Sequence, residues 1–282
     1  MNPAEFKAHH MSITAGDVLG NNGVGRYILL PGSDGRAADI AAHFTARHVK
    51  EHSRRHNFYM GTIDVDGEPA DVAVVATGMG CPSVDIIVSE LIHLGARRLL
   101  RLGTAGSLQP GRIPIGSIVI GTAAVRDEGT TRHYMPLEVP AVAAPAMVAA
   151  AKRACLVCGA EKSFSGLVHT KDSLFARELE AGPLSAENDR FMHLLQACGV
   201  LASEMETAML FTLAQIYTHE LMSSAETVEV EAGSVLGIIG DETAFGNDEQ
   251  VATTTKLAVQ VGLQTIAERA RADRSSAGQP PT

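Results

Sequence analysis

Tryptophan is missing from this 282-residue sequence, and aromatic residues make up only 4% of it. Proteins that bind single-stranded nucleic acid stack the bases on exposed aromatic rings. Basic residues are also scarce, since 23 lysines and arginines stand against 32 aspartates and glutamates and give a net charge of −9. This balance argues against broad binding to DNA or RNA. It allows a small anionic substrate, provided that arginines gather in one pocket.

Long apolar runs are absent as well. No run of about 18 apolar residues is present to span a bilayer, and the first residues, MNPAEFKAHH, lack the pattern of a signal peptide. We therefore expect a cytoplasmic protein with no membrane partner. Cysteines are few, and the single CxxC of Cys155 and Cys158 has no second pair of ligands at similar spacing. We expect structural thiols and no metal site.

Short apolar runs alternate with amphipathic stretches along the chain. This alternation predicts one α/β domain over residues 1–282, with a parallel or mixed sheet covered by helices on both faces. The tails, residues 1–9 and about 272–282, are expected to be flexible. Strands are predicted at 26–32, 97–107, 116–125, 162–170 and 233–241, a hairpin at 59–78, and helices at 35–44, 81–95, 139–159, 206–221 and about 248–271.

Two segments at predicted strand ends suggest an anion site, because ligands of such folds bind beyond the carboxyl ends of the strands. PGSDGR (31–36) places Gly32 and Arg36 at a helix start, where backbone N–H groups and a guanidinium suit phosphate. Arg101 lies within the apolar strand LLRLG, and Thr104 follows in the turn. A buried arginine needs either a bound anion or a glutamate partner. An ordinary turn and an internal salt bridge are the alternatives.

Two glutamates stand inside the small, apolar run VLASEMETAML, at Glu204 and Glu206. Charged side chains are rarely buried without partners. Glu206 falls near a predicted helix start, where negative charge is favourable, so a helix cap would explain one of them. It would not explain both, nor Met205 between them. A carboxylate can also accept two hydrogen bonds from the vicinal hydroxyls of a ribose, and together with the phosphate donors this suggests a nucleoside cleaved by phosphate.

These motifs resemble those of the nucleoside phosphorylase family, which includes uridine phosphorylases and hexameric purine nucleoside phosphorylases. The resemblance is closest to the uridine phosphorylases and runs from His10 to about Glu249. It implies a three-layer α/β/α sandwich with a central mixed, partly barrel-like sheet. PGSDGR is similar to the family's PGDPxR, TGMGCPS to TGIGGPS, LRLGTAGSLQPG to LRIGTTGAIQ, RDEGTTRHYMPLEVPAVA to RxDGxxxHFxPLEFPAVA, and SEMETA to YEMESA.

The resemblance implies a role for each matched residue. Phosphate would be bound by Gly32, Arg36, Arg101 and Thr104, helped by Arg54 or Arg55 from a neighbouring subunit, and ribose by Glu204, Met205, Glu206 and a neighbour's His10. Such sharing implies a homo-oligomer, with a hexamer built as a trimer of dimers as the first expectation and a dimer as the second. Inorganic phosphate would be the co-substrate, and no cofactor would be needed.

The expected base site departs from the uridine phosphorylase pattern. KDSLF (171–175) resembles SDTFY, but the following FARELEAGPLSAEN lacks the QxR that holds uracil. Asp241 stands where uridine phosphorylases carry asparagine and purine nucleoside phosphorylases carry an aspartate that protonates N7 of the base. A turn or cap residue is the alternative for Asp241. The residues expected around the base are Thr104, Gly106, Leu174, Phe175, Arg177 and Asp241, with Arg101, Glu206 and Asp241 as the catalytic set.

The sequence therefore predicts phosphorolysis of a ribonucleoside to a free base and ribose 1-phosphate, in the manner of uridine phosphorylase. A phosphorylase of purine or modified nucleosides is the alternative, followed by a nucleosidase and a noncatalytic nucleoside-binding protein. One structural result would exclude an enzyme. It is an Arg101 neutralised within the protein, combined with a Glu206 that faces away from any cavity.

Overall fold

The computed structural model describes residues 3–223, 229–241 and 244–277. Strands and helices alternate along the chain as the sequence predicts. The strands are β1 (Tyr27–Leu30), β2 (Thr45–Lys50), β3 (Phe58–Val65), β4 (Glu68–Val74), β5 (Arg98–Ser107), β6 (Ile118–Asp127), β7 (Ala141–Val142), β8 (Ser163–Lys171), β9 (Ala202–Glu204) and β10 (Glu231–Gly240). The helices are α1 (Ala15–Val18), α2 (Asp34–Ala41), α3 (Cys81–His93), α4 (Pro145–Val157), α5 (Leu174–Glu178), α6 (Ser185–Ala197), α7 (Thr207–Ser223) and α8 (Asp248–Ala277).

The ten strands of the described chain form one mixed sheet in the order β10-β6-β8-β9-β5-β1-β4-β3-β2, with β7 paired to β6. Strand β10 also pairs in parallel with β5, from Glu231 opposite Arg98 to Gly240 opposite Gly106. This pairing closes β5, β10, β6, β8 and β9 into a five-stranded barrel. Strands β1, β4, β3 and β2 continue from the barrel as an open sheet. The expectation of a mixed, partly barrel-like sheet is confirmed.

Helices cover both faces of the sheet because each has one apolar side. Helix α3 buries Val84, Ile87, Val88 and Leu91, which is the spacing of a single helical face. It packs with α7 into one apolar cluster, while α2, α4 and α8 share a second cluster with the opposite face of the sheet. The predicted three-layer α/β/α sandwich is therefore confirmed. No helix in the described ranges is long and apolar enough to cross a membrane.

Residues near both chain ends contact the rest of the protein. The Phe6 ring stacks on His93 with 4.9 Å between centroids, and the backbone N–H of His9 donates to Glu90 Oε1 at 2.9 Å. Helix α8 continues to Ala277, and its Arg271 forms an ion pair with Asp66. The flexibility of residues 1–9 and about 272–282 stays a prediction. Residues 1–2 and 278–282 lie outside the described ranges.

Several elements were missed in the sequence analysis, and the two longest of them are β2 and α6. Strand β2 is exposed along most of its length, so it shows no apolar alternation. Helix α6 has a weak apolar face, because only Met192 and Leu195 of its apolar residues are buried. They pack with Leu108 and Val200 in a small third cluster beside the barrel. Helix α6 matters for function because it forms one wall of the cavity described next.

Candidate active site

A cavity of about 520 Å³ opens at the barrel where β5, β8, β9 and β10 end. Cavities of this size hold drug-sized and cofactor-sized ligands. The position follows the rule that ligands bind beyond the carboxyl ends of parallel strands. Most of the residues predicted for the site line this cavity, namely Gly32, Arg36, Arg101, Thr104, Gly106, Leu174, Arg177, Glu204, Met205, Glu206 and Asp241. His10, Arg54, Arg55 and Phe175 do not line it.

Arg101 lies on β5 at the floor of the cavity and is 5% exposed. Its Nε donates to Glu204 Oε2 at 2.8 Å, and its Nη2 donates to Glu206. Burial opposes the charge of Arg101, but the two carboxylates outweigh burial and raise its pKa. Its Nη1 is buried and has no hydrogen-bond partner among the described residues. The salt bridge weighed in the sequence analysis therefore exists, and it still leaves donor capacity at Arg101.

The carboxylate of Glu204 accepts hydrogen bonds from several groups of the protein. These are the hydroxyl of Thr170 at 2.6 Å and the backbone N–H groups of Glu206 and Thr207, both at 2.9 Å. Burial raises its pKa, but the guanidinium of Arg101 and these donors outweigh burial and hold the pKa below its usual range. Glu204 thus caps the start of α7 and orients Arg101. This geometry favours a positioning role over the ribose contact that we expected.

Glu206 faces the cavity although it is only 6% exposed. Its Oε1 accepts the backbone N–H of Gly80 at 2.6 Å, and its Oε2 accepts from Arg101. Burial raises the pKa of this carboxyl, and the nearby charge of Glu204 adds to the rise, against the opposing effect of Arg101. Two observations together would have excluded an enzyme, namely a neutralised Arg101 and a Glu206 that faces away from any cavity. Only the first is made, because Arg101 is neutralised within the protein but Glu206 lines the cavity.

Arg36 is the second arginine that lines the cavity, and together with Arg101 it forms what we call the cationic wall. Ser33 caps α2 by accepting the backbone N–H of Arg36 at 3.4 Å, which places the side chain at the cavity. Burial and the nearby charge of Arg101 lower the pKa of Arg36. Within the described ranges its guanidinium makes no hydrogen bond or ion pair. Gly32 and Thr104 line the same wall, so the predicted phosphate residues of this chain are brought together.

The cavity also holds a charged pair that we missed in the sequence analysis. Lys171 is 2% exposed, and its Nζ lies 2.7 Å from Glu178 Oε1 and donates to Ser203 Oγ at 2.9 Å. All three residues line the cavity. A signal was present, because Lys171 ends the apolar strand GLVHTK much as Arg101 lies within LLRLG. A buried charge in such a strand needs a partner or a ligand, so the argument made for Arg101 applies to Lys171 as well.

The predicted base residues differ in their geometry. Leu174 lines the cavity, whereas Phe175 is 67% exposed and lies outside it. The structure therefore does not bring Phe175 to the other predicted base residues, and its contact with the base stays a prediction. Arg177 is anchored, since its Nη2 donates to Asp127 at 2.7 Å, its Nη1 donates to Asn188, and its Cζ lies 4.6 Å from the ring centre of Phe191. A base carbonyl would have to compete with these contacts for Arg177.

Asp241 lies at the end of β10, where its side chain lines the cavity and also shapes a turn. Its Oδ1 accepts the backbone N–H of Ala244 at 3.3 Å, and its own N–H donates to the carbonyl of Ala244 at 3.1 Å. Residues 242 and 243 lie outside the described ranges. The two interpretations of Asp241, as a turn residue and as a cavity residue, are therefore compatible.

The residues expected to reach a neighbouring subunit lie on the surface. His10 bonds through Nδ1 to the buried Glu90 at 2.7 Å, which fixes its ring at the start of the chain. Arg54 and Arg55 are both exposed in the turn between β2 and β3. Their absence from the cavity of their own subunit is compatible with the expected sharing. Their roles remain predictions.

Comparisons with known proteins identify the family of this chain. The model of the phosphorylase superfamily matches residues 26–258. Uridine phosphorylase of Treponema pallidum is 36% identical over 261 residues, covering 92% of each chain, and that of Escherichia coli is 32% identical over 90% of this chain and 95% of its own. Guanosine phosphorylase of Halorubrum lacusprofundi is 30% identical over 74% of this chain and 78% of its own. The chain belongs to the phosphorylase superfamily.

Proposed function

We propose that this protein is a nucleoside phosphorylase of the uridine phosphorylase type, which converts a ribonucleoside and phosphate to a free base and ribose 1-phosphate. One observation carries the proposal. The cationic wall of Arg36 and Arg101 meets the carboxylate of Glu206 within a single cavity. Phosphate and a sugar diol require these two kinds of partner, placed side by side.

Phosphate binds against the wall made by Arg36, Arg101, Thr104 and the backbone of Gly32. Arg36 brings a guanidinium without a polar partner in the described chain, and Arg101 brings its buried Nη1. Both groups match the oxygens of phosphate as charged donors. Glu204 keeps Arg101 in place through Nε, so the donor geometry exists before phosphate arrives. Such preorganised donors stabilise developing charge more effectively than water does.

Ribose lies between this phosphate and the base end of the cavity, where Glu206 accepts hydrogen bonds from its hydroxyls. Met205 lines the cavity beside it and supplies an apolar contact. Phosphate attacks C1′ as the bond to the base lengthens and the ribosyl group gains positive charge. The phosphate dianion stabilises that charge and then forms the new bond. The electrons of the broken bond leave with the base.

Asp241 acts at the departing base. It lies at the cavity end formed by Gly106 and Gly240, where a protonated carboxyl would donate to the leaving ring nitrogen. This residue also favours the second candidate, a phosphorylase of purine nucleosides. The similarity to a guanosine phosphorylase gives that candidate further weight.

The site is completed by a second copy of the chain. His10 and one of Arg54 and Arg55 lie on the surface outside the cavity, and they reach the ribose and phosphate of a neighbouring subunit. We propose a homo-oligomer, either a hexamer made as a trimer of dimers or a dimer.

Release of base from uridine, thymidine, inosine, adenosine and guanosine, with and without phosphate, tests the proposal. Turnover of at least one nucleoside that depends on phosphate and yields ribose 1-phosphate is expected. Equal release without phosphate would identify a nucleosidase. Tight binding without release in either condition would identify a noncatalytic nucleoside-binding protein.

A further inference from the structure

The base end of the cavity holds a lysine and a glutamate that the phosphorolysis described above leaves unused. Lys171 ends β8 and Glu178 ends α5, and the two side chains are in contact, with 2.7 Å between Nζ and Oε1. A Cβ placed on Gly106 would lie 3.8 Å from Glu178 Oε2 and 3.9 Å from the carbonyl oxygen of Gly240. The pair therefore lies beside the glycine turn of β5, next to the residue that precedes Asp241.

This pair has hydrogen-bonding capacity that the described protein does not use. A lysine carries three N–H donors, and Ser203 Oγ accepts one of them at 2.9 Å. The contact with Glu178 is an ion pair that is not aligned as a hydrogen bond, and Glu178 Oε1 is buried without any hydrogen-bond partner in the described ranges. Glu178 Oε1 therefore has a charged neighbour but no aligned donor. The pair thus presents a donor and an acceptor side by side to a ligand.

A chain of hydrogen bonds holds Lys171 in place. Ser203 Oγ lies 2.9 Å from His169 Nδ1, and His169 Nε2 lies 3.0 Å from Asp127 Oδ2. One set of protons satisfies all of them, with Lys171 donating to Ser203, Ser203 to His169, and His169 to Asp127. Asp127 also accepts from Arg177 at 2.7 Å. This network fixes the ammonium group and occupies Arg177, so Lys171 is the cation that faces the base.

We propose that Lys171 and Glu178 bind the lactam edge of the base, so that the protein prefers nucleosides of oxo bases to nucleosides of amino bases. This inference rests on the proposed function. Uracil and hypoxanthine each carry a ring carbonyl next to a ring N–H. The ammonium of Lys171 donates to the carbonyl, and the carboxylate of Glu178 accepts from the N–H. The two base atoms are bonded to one carbon, so their partners must lie side by side, as these two do.

Cytosine and adenine reverse this pattern, because an amino group lies next to a ring nitrogen that carries a lone pair. In the same orientation, the amino group would face the ammonium of Lys171 and the lone pair would face the carboxylate of Glu178. Both contacts become repulsive, and neither Lys171 nor Glu178 gains a partner on the base. Sites that hydrogen-bond one pattern of donors and acceptors discriminate strongly against its reverse. The selectivity therefore follows from the charges of the pair.

Two matched pairs of nucleosides test this selectivity, namely uridine with cytidine and inosine with adenosine. Within each pair the ring size and sugar are constant and the lactam edge is changed. We expect the oxo member of at least one pair to exceed its amino partner by about 100-fold in kcat/KM. The same ranking should appear in calorimetric binding without phosphate, which measures recognition independently of turnover.

Two substitutions connect the selectivity to the pair. Glu178→Gln keeps the size of the side chain but allows its amide to donate or accept, and Lys171→Met removes the donor. We expect each to reduce the ratio of oxo to amino kcat/KM at least tenfold while the KM for phosphate stays unchanged. Glu187→Gln and Lys152→Met make the same chemical changes at exposed positions outside the cavity and should keep the wild-type ratio. Because Lys171 is deeply buried, Glu178→Gln decides the matter if Lys171→Met does not fold.

The outcomes separate this inference from the proposed function. Phosphate-dependent turnover that treats oxo and amino members alike, or variants that behave like their controls, would overturn the base assignment and leave the phosphorylase standing. Oxo-selective binding that Glu178→Gln abolishes, with no turnover in phosphate, would support the base assignment and overturn the phosphorylase. Binding of no member of either pair would overturn both.

Discussion

The Nε of Arg101 lies 2.8 Å from Oε2 of Glu204, and this contact couples the buried arginine to the start of helix α7. Strands β5 and β9 are neighbours in the barrel, so residues far apart in sequence meet there. The contact leaves the other side of the guanidinium for Glu206 and the cavity. Glu204 therefore orients Arg101 through contacts within the protein, and this is the role we assign to it in the proposed anion site.

Removal of the Arg101 side chain should destabilise the protein. Arg101→Ala leaves Glu204 and Glu206 buried without their cation, so the free energy of unfolding should fall by about 3–5 kcal/mol. Urea denaturation measures this. Arg132→Ala, at an exposed position, should change it by about 0.5 kcal/mol or less. An Arg101→Ala protein as stable as the control would contradict the structural role.

Arg101→Lys separates folding from catalysis. It keeps the positive charge between the glutamates but loses the fork of donors that phosphate requires. We expect a folded protein whose kcat/KM for phosphate falls by about 10²- to 10³-fold, as for other lost electrostatic donors. Steady-state kinetics at varied phosphate concentration measures the effect. Turnover near the wild-type value, in this variant or in Arg101→Ala, would remove Arg101 from the phosphate site.

Arg36→Ala should weaken phosphate binding without changing stability. The Arg36 guanidinium makes no hydrogen bond or ion pair in the described ranges, so its loss leaves no buried partner behind. A charged hydrogen bond to phosphate contributes about 1.5–3 kcal/mol, so the KM for phosphate should rise about 10- to 100-fold. The melting temperature should stay constant. Arg47→Ala, on the exposed strand β2, is the matched control for both measurements. A normal KM for phosphate in Arg36→Ala would refute the assignment.

Nucleoside binding should weaken in mild acid because of Glu206. Its pKa is raised above the model-compound value of 4.5, chiefly by burial, and only the ionised carboxylate accepts both ribose hydroxyls. As the pH falls through this raised pKa the carboxylate gains a proton, so affinity is lost at a pH above 4.5. Calorimetry without phosphate avoids the titration of phosphate itself. Glu206→Gln should bind weakly and without this pH dependence. A wild-type midpoint below 4.5 would contradict the assignment.

Gly103→Ala should displace Arg101. A Cβ at this position would lie 2.8 Å from Arg101 Nη2 and 3.0 Å from Leu236 Cδ2, so the guanidinium or the barrel must shift. We expect a stability loss of about 1–3 kcal/mol, together with a higher KM for phosphate. Gly111→Ala is the control, since its added Cβ meets nothing within 4 Å. An unchanged KM for phosphate in Gly103→Ala would show that Arg101 tolerates the shift.

Sharing of the site between subunits can be tested with two defective variants. His10→Ala removes the group expected to reach a neighbour's ribose, and Glu206→Gln removes the carboxylate of the subunit's own cavity. In a mixed oligomer, the cavity of the His10→Ala subunit would combine its own Glu206 with an intact His10 from its neighbour. Co-expressed subunits with different tags should therefore recover activity that neither variant has alone. Activity equal to the mean of the two separate variants would place His10 outside the shared site.

Local signals in the sequence were sufficient for most of the fold. Apolar strands followed by amphipathic helices predicted the layers, because a helix or strand with one buried face shows a regular spacing of apolar residues along the sequence. Strand β2 and helix α6 were missed because β2 is largely exposed and α6 buries little apolar surface. The contacts made near the chain ends could not be predicted for another reason. Their partners, His93 and Asp66, are distant in sequence.

The sequence by itself predicted that Arg36, Arg101 and Glu206 meet at the strand ends, because buried charges and glycine turns there require partners or ligands. The structure brings all three to one cavity, and their roles toward phosphate and sugar stay predictions. The sequence left open whether Arg101 pairs with a glutamate or an anion, since both choices satisfy the same burial cost. Only the closed barrel decided this, by placing β9 against β5 so that both glutamates reach the guanidinium. The tertiary structure also paired Lys171 with Glu178, because charges seven positions apart become neighbours only when α5 folds back over the end of β8.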